Sequence, residues 1–448
     1  MIKKTAVLLI VSSLILQCFA LCGCSSQKLQ FFDKNGKALA ATENADITKS
    51  TEIDVEIKAY IEIAFNEAVS ILAEKEKCEA AEAKEKLVSG GYSVYTHFDK
   101  KVFTAIKDTY NCENYKQADF GCAVTNNSGQ LLAAYSSSDG EANFAITPTP
   151  PYSSIKPLSV YAPAIQSGIA CWSKTYTDSP VKKVTDIDGN LVDWPSNANG
   201  KYANEGITVY EAIKKSLNTI SIKCLKDYGV TRSVEFLKAA FDFPLDMEET
   251  IISQYGEEEV LGNLGMGYLR EGVSPVDMAG YYQIFANGGK YYKPTAIYEI
   301  KDNSGKSIYK RNVSINQVIE KSTADIMNLL LQEVVSENGT GKDAMIDGLA
   351  VGGKTGTGEK GNWFVGFTPE YTCAVWHSTQ LEKNYCCKIF SKILNNVPDK
   401  KLTSFSVGSD VKKAVYCCIS GDLAGINCTD NAVGYFDAQS MPQECRLH

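Results

Sequence analysis

The spacing of apolar residues predicts helices near the start of this chain. From Ile53 the apolar side chains recur three or four positions apart, and the pattern ends near Gly90 and Gly91. Residues with this spacing lie on one face of a helix, and adjacent glycines are typical of a turn. We therefore predict one or two amphipathic helices within residues 53–90, with these apolar positions on one face: Ile57, Ile61, Ala64, Phe65, Ala68 and Leu72.

A β-hairpin is predicted over residues 120–135. Two apolar segments, 120–125 and 130–135, flank the turn residues Asn126, Asn127, Ser128 and Gly129. These residues tolerate the positive φ angles that tight hairpin turns require. A sheet therefore begins at this point of the chain.

Helical patterns dominate the middle of the chain, and strands return near residue 349. One helical stretch follows Pro151, another surrounds residues 209–225, and a third covers 276–286 before turn residues at 287–289. From Leu349 to Trp376 the sequence is rich in β-branched and aromatic residues between Gly-rich turns, which is typical of strands. Strands at both ends with helices between them predict the α+β class.

Residues 1–24 have the layout of an export signal. Lys3 and Lys4 precede an apolar run from Ala6 to Cys22, and small and polar residues follow. The segment Leu21–Cys24 resembles a bacterial lipoprotein signal, so Cys24 is the candidate lipidation site. The alternative is an uncleaved membrane anchor, although polar residues within the run make it a mediocre span. Either way we expect the protein at the extracytoplasmic face of the membrane.

The next residues, 25–50, predict a linker. They are polar, rich in Lys, Asn, Thr and Ala, and show no clear period. Such a composition is typical of a flexible tether between a membrane and a domain.

Composition and charge narrow the classes of function. The chain has 448 residues, 44% of them hydrophobic, and can therefore bury a full core. Its formal net charge of -8 argues against a nucleic-acid partner, because phosphate binding needs clustered Lys and Arg.

The cysteines do not indicate a metal site by their spacing. Of the 15 cysteines, those beyond residue 24 include no C-x-x-C pair, so we expect no bound metal. In an exported protein, Cys428 and Cys445 are candidates for a disulfide, with buried thiols as the alternative.

A serine and a lysine three positions apart form the first candidate catalytic pair. The chain has only three histidines, His97, His377 and His448, so few imidazoles are available for a Ser-His-Asp triad. Ser153 and Lys156 at the start of a helix would lie on one face, where a desolvated lysine could deprotonate the hydroxyl. By itself the S-x-x-K pattern is more often a surface serine and lysine.

Two further motifs are weak when each is taken alone. Ser216 and Asn218 are two positions apart, so they cannot share a helix face and should lie where a helix ends or turns. A simple helix cap would explain them equally well. In the second motif, strand alternation would send Lys354 and Gly356 to one side and the neighbouring threonines to the other.

The Gly-rich segment 352–358 suits a peptide ligand. Gly356 would let a ligand backbone approach closely, and a cation beside hydroxyls at a strand edge suits a peptide that ends in a carboxylate. The alternative is a Gly-rich turn with a solvated lysine.

Together and in this order, S-x-x-K, S-x-N and K-T-G form the signature of penicillin-binding proteins and class A β-lactamases. The segments around the motifs extend the similarity, and the chain resembles the transpeptidase portion of the bifunctional, class A type penicillin-binding proteins. The segments that carry this resemblance are residues 90–99, 153–164, 211–219, 278–289, 363–376, 434–436 and 445–448.

The resemblance implies a role for each motif residue. Ser153 would be the nucleophile, Lys156 the general base, Ser216 a proton relay towards the leaving amine, and Asn218 a hydrogen-bond partner of the substrate amide. The residues Lys354, Thr355 and Thr357, with Gly356 between them, would bind the substrate carboxylate. The backbone N–H groups of Ser153 and Thr357 would form the oxyanion hole, and no metal or cofactor is implied.

The resemblance also implies the fold and a division of the chain. We expect a penicillin-binding, serine β-lactamase-like fold, with an antiparallel sheet flanked by a helical subdomain. The predicted parts are a helical or linker region at 51–115, a transpeptidase domain at 116–380 and its C-terminal extension at 381–448. Two departures from the family pattern are Tyr152, where glycine commonly precedes the nucleophile, and Gly361-Asn362, where an aspartate often stands.

Class A proteins also carry a glycosyltransferase domain before this region. Residues 25–89 are too few to hold it, so the chain resembles a class A protein reduced to its transpeptidase half. A separate glycosyltransferase is therefore the expected partner.

The expected activity is that of a serine D,D-transpeptidase. It would cross-link peptidoglycan stem peptides ending in D-Ala-D-Ala through an acyl-enzyme, and β-lactams would inhibit it covalently. The alternatives are a D,D-carboxypeptidase, a β-lactamase, or a non-catalytic penicillin-binding sensor or scaffold. The intact motif residues favour an enzyme.

Overall fold

The computed structural model describes residues 28–112, 118–138, 142–378, 384–397 and 403–447. The predicted export signal with Cys24 lies outside these residues, as does His448. The described chain forms two compact units. The smaller one consists of the described residues up to Asp54 with Phe65–Thr96 and Ile297–Arg311. The larger one consists of Val55–Ala64, His97–Ala296 and the described residues from Asn312 onward.

Strands occur in both units. In chain order, those of the described residues are β1 Leu29–Phe32, β2 Ala38–Thr42, β3 Ser93–Thr96, β4 Phe120–Asn126, β5 Leu131–Ser136, β6 Thr175–Thr177, β7 Lys182–Thr185, β8 Leu191–Trp194, β9 Gly206–Thr208, β10 Lys290–Tyr291, β11 Ile297–Lys301, β12 Ser307–Lys310, β13 Asn316–Gln317, β14 Gly352–Gly358, β15 Gly361–Phe367, β16 Tyr371–His377, β17 Val411–Cys417 and β18 Asn431–Asp437.

The α-helices of the described residues lie mainly between β5 and β14. They are α1 Lys58–Glu76, α2 Ala80–Ser89, α3 Lys100–Tyr110, α4 Ala162–Gln166, α5 Val209–Lys215, α6 Asn218–Tyr228, α7 Val230–Phe241, α8 Asp246–Tyr255, α9 Leu261–Met266, α10 Pro275–Tyr282, α11 Lys321–Val335 and α12 Tyr385–Asn396. Within the described part of the chain, no helix combines the length and the apolar character that a membrane crossing requires.

The smaller unit is built on a five-stranded sheet with the order β12-β11-β3-β1-β2. β1 runs parallel to β3, whereas its pairing with β2 and the pairing of β3 with β11 are antiparallel. In β1, Leu29 and Phe31 are fully buried and the intervening Gln30 is exposed. This alternation is that of a strand with one face on a core.

The linker predicted for residues 25–50 is wrong over its described part. Strands β1 and β2 occupy residues 29–42, and a short 3-10 turn covers Ile47–Lys49. The apolar residues of β1 span too few positions to show a period among the polar neighbours, and the strand is stabilised by pairing with β3, far along the chain. Pairing partners at such separations override local composition.

The predicted division at residues 115 and 116 differs from that of the two units. The described residues from His97 to Cys112, with α3, belong to the larger unit, and Ile297–Arg311 belongs to the smaller one. The second difference arises because β11 pairs with β3 as well as with its neighbour β12, which places both strands in the sheet of the smaller unit.

The larger unit is centred on an antiparallel sheet with the order β14-β15-β16-β4-β5. The predicted hairpin of β4 and β5 is present, and Gly129 in its turn has a φ of 74°. Because β16 pairs with β4, the strands predicted at both ends of this region form one sheet. The α+β prediction is confirmed.

Both faces of this sheet are covered by helices. Phe364 of β15 packs against Phe390 of α12 with ring centroids 4.8 Å apart. Phe367, three positions later, packs at 6.2 Å against Phe285, which follows α10. Residues an odd number of positions apart on a strand point to opposite faces, so the sheet is buried on both sides, and β14 forms its edge.

Candidate active site

Ser153 lies in a tight turn at the start of a helical segment. A 3-10 turn covers Tyr152–Ile155, one π-helical turn covers Pro157–Tyr161, and α4 continues from there. Pro157 occupies the first position of the π turn, where its missing N–H is least costly. Ser153 is partly exposed, whereas Lys156 is fully buried.

Hydrogen bonds from neighbouring elements hold this turn in place. The Trp363 indole N–H on β15 donates to the Pro150 carbonyl at 2.9 Å. The Tyr282 hydroxyl at the end of α10 donates to the Ser154 carbonyl. The turn is therefore fixed on both sides of Ser153 by buried side chains of the sheet and its covering helix.

Tyr152, the departure from the family pattern, has a left-handed backbone. Its φ is 50°, a conformation that glycine adopts without strain and other residues rarely adopt. Its buried ring lies over Gly358, where a Cβ would approach the ring to 2.1 Å. Its hydroxyl accepts a hydrogen bond of 2.9 Å from the Lys360 backbone N–H. The ring therefore connects the turn that contains Ser153 to the end of β14.

Ser216 and Asn218 occupy the break between two helices, as their spacing predicted. α5 ends at Lys215, Ser216 is left-handed with a φ of 59°, and α6 begins at Asn218. The Leu217 N–H bonds back to the Ala212 carbonyl at 2.9 Å, which closes the end of α5. The reversal brings both polar side chains of the motif towards the buried lysines.

The two lysines meet at Ser216. Lys156 Nζ donates to the Ser216 carbonyl at 3.1 Å and to Asn218 Oδ1 at 2.6 Å. Lys354 Nζ donates to Ser216 Oγ at 2.8 Å and to the Thr355 carbonyl at 3.1 Å. The structure thus brings one lysine of S-x-x-K and one of K-T-G to opposite sides of the S-x-N serine.

Burial lowers the pKa of both lysines. Loss of hydration lowers the pKa of Lys156 well below its usual value, and the neighbouring Lys354 lowers it further. Burial also lowers the pKa of Lys354, to about 7. A lysine that is neutral near neutral pH has a lone pair and can accept a proton, which an ammonium cannot.

Strand β14 presents the remaining motif residues beside the turn that contains Ser153. Lys354 is fully buried, Thr355 is nearly so, and Thr357 is exposed. Thr355 Oγ1 lies 3.2 Å from Thr340 Oγ1, and Thr357 pairs with Asn362 in the sheet register. Thr357 therefore offers its hydroxyl at the open end of the strand.

Glycine at position 356 was expected to make room for a ligand backbone, but it makes room for part of the protein itself. A Cβ on Gly356 would come within 2.4 Å of the Pro151 carbonyl oxygen and 3.3 Å of Ser154 Cβ. The close approach is made by the protein's own turn around Ser153. Gly356 thus allows the edge strand to lie directly against the residues flanking Ser153.

A buried polar network supports Asn218, and the sequence motifs gave no sign of it. Asn197 Oδ1 accepts from the Asn218 N–H at 2.9 Å, and Asn197 Nδ2 donates to Asp178 Oδ1 at 2.8 Å. The Thr219 hydroxyl donates to the same carboxylate at 2.5 Å. Burial alone would raise the pKa of Asp178, but hydrogen bonds from Thr219, the Ala203 N–H and Asn197 outweigh it, and the pKa is lowered.

The support comes from a long segment between α4 and α5 that carries β6 to β9. The Asn218 side-chain N–H also donates to the Ser196 carbonyl, at 2.7 Å. The only sequence signal for this contact was a run of turn-forming residues at 195–200, which does not reveal what the loop touches.

Comparison with known protein families agrees with these motifs. Residues 120–398, more than half of the chain, match the family described as the penicillin-binding protein transpeptidase domain. Penicillin-binding protein 1A of Clostridium botulinum is 28% identical over 327 residues, which cover 65% of this chain and 36% of that protein. Penicillin-binding protein 1F of Bacillus subtilis is 28% identical over 388 residues, which cover 80% of this chain and 51% of that protein. The chain thus spans roughly a third to a half of these relatives' lengths.

Solved structures give the same fold. Penicillin-binding protein 1A from Haemophilus influenzae superposes with a TM-score of 0.67 at 17% identity, covering 85% of this chain and 77% of that one. Penicillin-binding protein 3 from Mycobacterium tuberculosis superposes with a TM-score of 0.62 at 17% identity, covering 86% and 99%. At these identities the likeness concerns the fold, and the predicted fold class is confirmed.

Proposed function

This chain belongs to the penicillin-binding protein transpeptidase family, and we propose that it is a serine D,D-transpeptidase that cross-links peptidoglycan stem peptides. The observation that carries the proposal is the burial of Lys156 and the lowered pKa of its amine. Lys156 is fully buried one helical turn after Ser153, and its pKa is held well below the usual value. A serine hydroxyl needs such a base to react at neutral pH.

In the proposed acylation step, Ser153 Oγ bonds to the carbonyl carbon of the penultimate D-alanine. Lys156 takes the hydroxyl proton, and the backbone N–H groups of Ser153 and Thr357 stabilise the oxyanion. The C–N bond to the terminal D-alanine then breaks. The proton that Lys156 took then passes through Ser216 to the leaving amine, and D-alanine is released; Ser216 Oγ lies 2.8 Å from Lys354 Nζ.

In the second step, an amine of a neighbouring stem peptide attacks the acyl carbon on Ser153. The new C–N bond forms, the bond to Ser153 Oγ breaks, and a proton from the amine returns to Ser153 through Lys156. Water in place of the amine would give carboxypeptidase activity. Asn218 would bind the substrate amide, and the K-T-G residues Lys354, Thr355 and Thr357 would bind the terminal carboxylate.

Labelling with a fluorescent penicillin tests this proposal. We expect a covalent adduct at Ser153, loss of labelling in Ser153→Ala, and labelling slowed by about 10² to 10⁴ in Lys156→Ala, the usual cost of losing a general base. Ser154→Ala is the matched control, because Ser154 is the adjacent serine and donates to the Pro151 carbonyl at 2.6 Å instead.

The same assay separates the alternatives. A long-lived adduct, with release of D-alanine from a D-Ala-D-Ala peptide and transfer to an added amine, supports the transpeptidase. Rapid turnover of penicillin indicates a β-lactamase, and products of water alone indicate a carboxypeptidase. A folded protein that forms no adduct indicates a sensor or scaffold and contradicts the proposal.

We further propose that the protein is exported and held at the extracytoplasmic membrane face by a lipid on Cys24. The support is the resemblance of residues 21–24 to a lipoprotein signal. Mass spectrometry of the membrane-bound protein should find a lipid-modified N-terminus at Cys24, and Cys24→Ala should remain unprocessed. Met1 or Ile2 retained on the membrane-bound protein would instead support the uncleaved anchor.

A further inference from the structure

Three cysteines from separate segments meet in the C-terminal hairpin of the larger unit. Cys417 ends β17, Cys428 lies in the loop between the strands, and Cys445 lies in the segment after β18. Their sulfur atoms all lie within 4.8 Å of one another, and all three residues are buried. These three cysteines are called the trio below. Their positions in sequence are eleven and seventeen residues apart, so spacing alone did not predict that they meet.

The backbone around each sulfur is fixed by hydrogen bonds. The Cys417 N–H donates to the Asp422 carbonyl at 2.8 Å, and the Cys428 N–H to the Gly425 carbonyl at 3.1 Å. The Cys445 N–H donates to the Leu423 carbonyl, also at 2.8 Å. All three acceptors belong to the short segment 422–425. The backbone therefore holds the three cysteines close together without needing a bond to a ligand.

The trio is the core of this part of the chain. Over residues 418–431 and 438–447, the side chains that are buried are those of Cys428 and Cys445. Ala424 packs against the trio, whereas Ile426 is fully exposed and Ile419 is 54% exposed. Two loops with so little buried apolar surface need a cross-link or a metal to be held in one conformation.

We propose that Cys417, Cys428 and Cys445 bind a thiophilic divalent cation, Zn²⁺, as a structural site. Three sulfurs with mutual distances up to 4.8 Å surround a centre at most about 2.8 Å from each, and a modest contraction gives the roughly 2.3 Å of a zinc–thiolate bond. Buried thiolates on a fixed backbone are the ligand set that zinc prefers. A tetrahedral site would need one further donor.

A disulfide fits the arrangement less well. It would join two of the three sulfurs and leave the third buried thiol beside it, although the same backbone segment holds all three equally. A metal uses all three ligands at once. None of the three cysteines belongs to the S-x-x-K, S-x-N or K-T-G motif, so we assign the site to stability rather than catalysis.

Metal analysis of the purified full chain tests the inference. We expect about one zinc per chain, the stoichiometry of a single tetrahedral site. Each of Cys417→Ser, Cys428→Ser and Cys445→Ser should weaken zinc binding by more than the about 10- to 100-fold that loss of an outer-sphere partner costs. The matched control is Cys373→Ala, a buried cysteine of the central sheet, which should retain the zinc.

A second measurement on the unmutated chain keeps the test independent of variant folding. After removal of metal by a chelator, added Zn²⁺ should raise the melting temperature in a concentration-dependent manner, whereas Mg²⁺ should not. Cobalt(II) in its place should give the intense thiolate charge-transfer absorption of a sulfur-ligated site. A disulfide between two of the three cysteines in the purified chain, or no zinc and no thermal response, would overturn the inference.

Discussion

Lys156 Nζ lies 2.6 Å from Asn218 Oδ1, and this contact determines what the lysine can do. A neutral amine has two N–H groups and one lone pair. The bonds to Asn218 and to the Ser216 carbonyl use both N–H groups. The lone pair is then left to accept a proton, and the donor in the proposed reaction is Ser153.

The first prediction concerns Asn218→Asp. A carboxylate at this distance would favour the charged lysine and raise the pKa of Lys156. A protonated lysine cannot accept a proton, so penicillin acylation should slow at neutral pH and recover as the pH rises. The measurement is the rate of acylation against pH. If the rate falls equally at every pH, the Asn218 amide matters for a reason other than its effect on the pKa of Lys156.

The second prediction concerns Lys354, whose role should make the reaction with carboxylate-bearing substrates slower, not faster, as the pH rises. Its pKa of about 7 means that it is an ammonium below pH 7 and neutral above it. Because the charge attracts a carboxylate, kcat/KM for carboxylate-bearing substrates should fall as the pH rises above about 7, while that for a matched neutral ester should not. Lys354→Arg keeps its charge throughout this range, so its profile for the carboxylate substrate should lose the alkaline fall. Equal profiles for the two substrates would contradict the assigned role.

Asn197 should matter to acylation although it belongs to no motif. In Asn197→Ala the Asn218 N–H and the buried Asp178 carboxylate each lose a partner, at a cost of about 1 to 3 kcal/mol for an unsatisfied buried group. Acylation should slow by roughly 10- to 100-fold if this cost falls on the position of Asn218. Asn199→Ala, at an exposed position of the same loop, should react at the normal rate. Equal rates for the two variants would show that the network has no influence on the site.

Tyr152 gives a prediction about stability. Alanine at a φ of 50° retains the backbone strain and loses the ring, whereas glycine loses the ring but relieves the strain. We expect unfolding free energies in the order Tyr, Gly, Ala, with Gly above Ala by about 1 kcal/mol and both well below Tyr through lost packing. Urea unfolding monitored by circular dichroism measures the order. Alanine as stable as glycine would mean that the turn relaxes out of the left-handed conformation.

The sequence predicted those parts of the site that rest on local pattern. Two residues at spacing i and i+2 cannot share a helix face, and Ser216 and Asn218 do lie at a helix break. The strand at β14 and the turn at Gly129 follow from the same short-range geometry. The family resemblance then indicated that the three motifs belong together.

Contacts between segments far apart in sequence could not be predicted from local sequence patterns. Asn197 reaches Asn218 from a loop whose own composition is that of any turn. The strand β1 has only two fully buried residues of its own, and the thiol trio joins segments with no common spacing. In each case the partner is set by the packing of the whole unit, which propensity and periodicity do not describe.

The sheet of the smaller unit also constrains the order in which the chain can fold. Its central strand β3 pairs with β1 on one side and with β11 on the other, and β11 begins only at Ile297. During synthesis, β3 is therefore complete long before one of its neighbours exists. Until then its backbone N–H and C=O groups on that side form an open edge, which other extended chains can pair with. Chains truncated before Ile297 should accordingly aggregate more readily than the full chain.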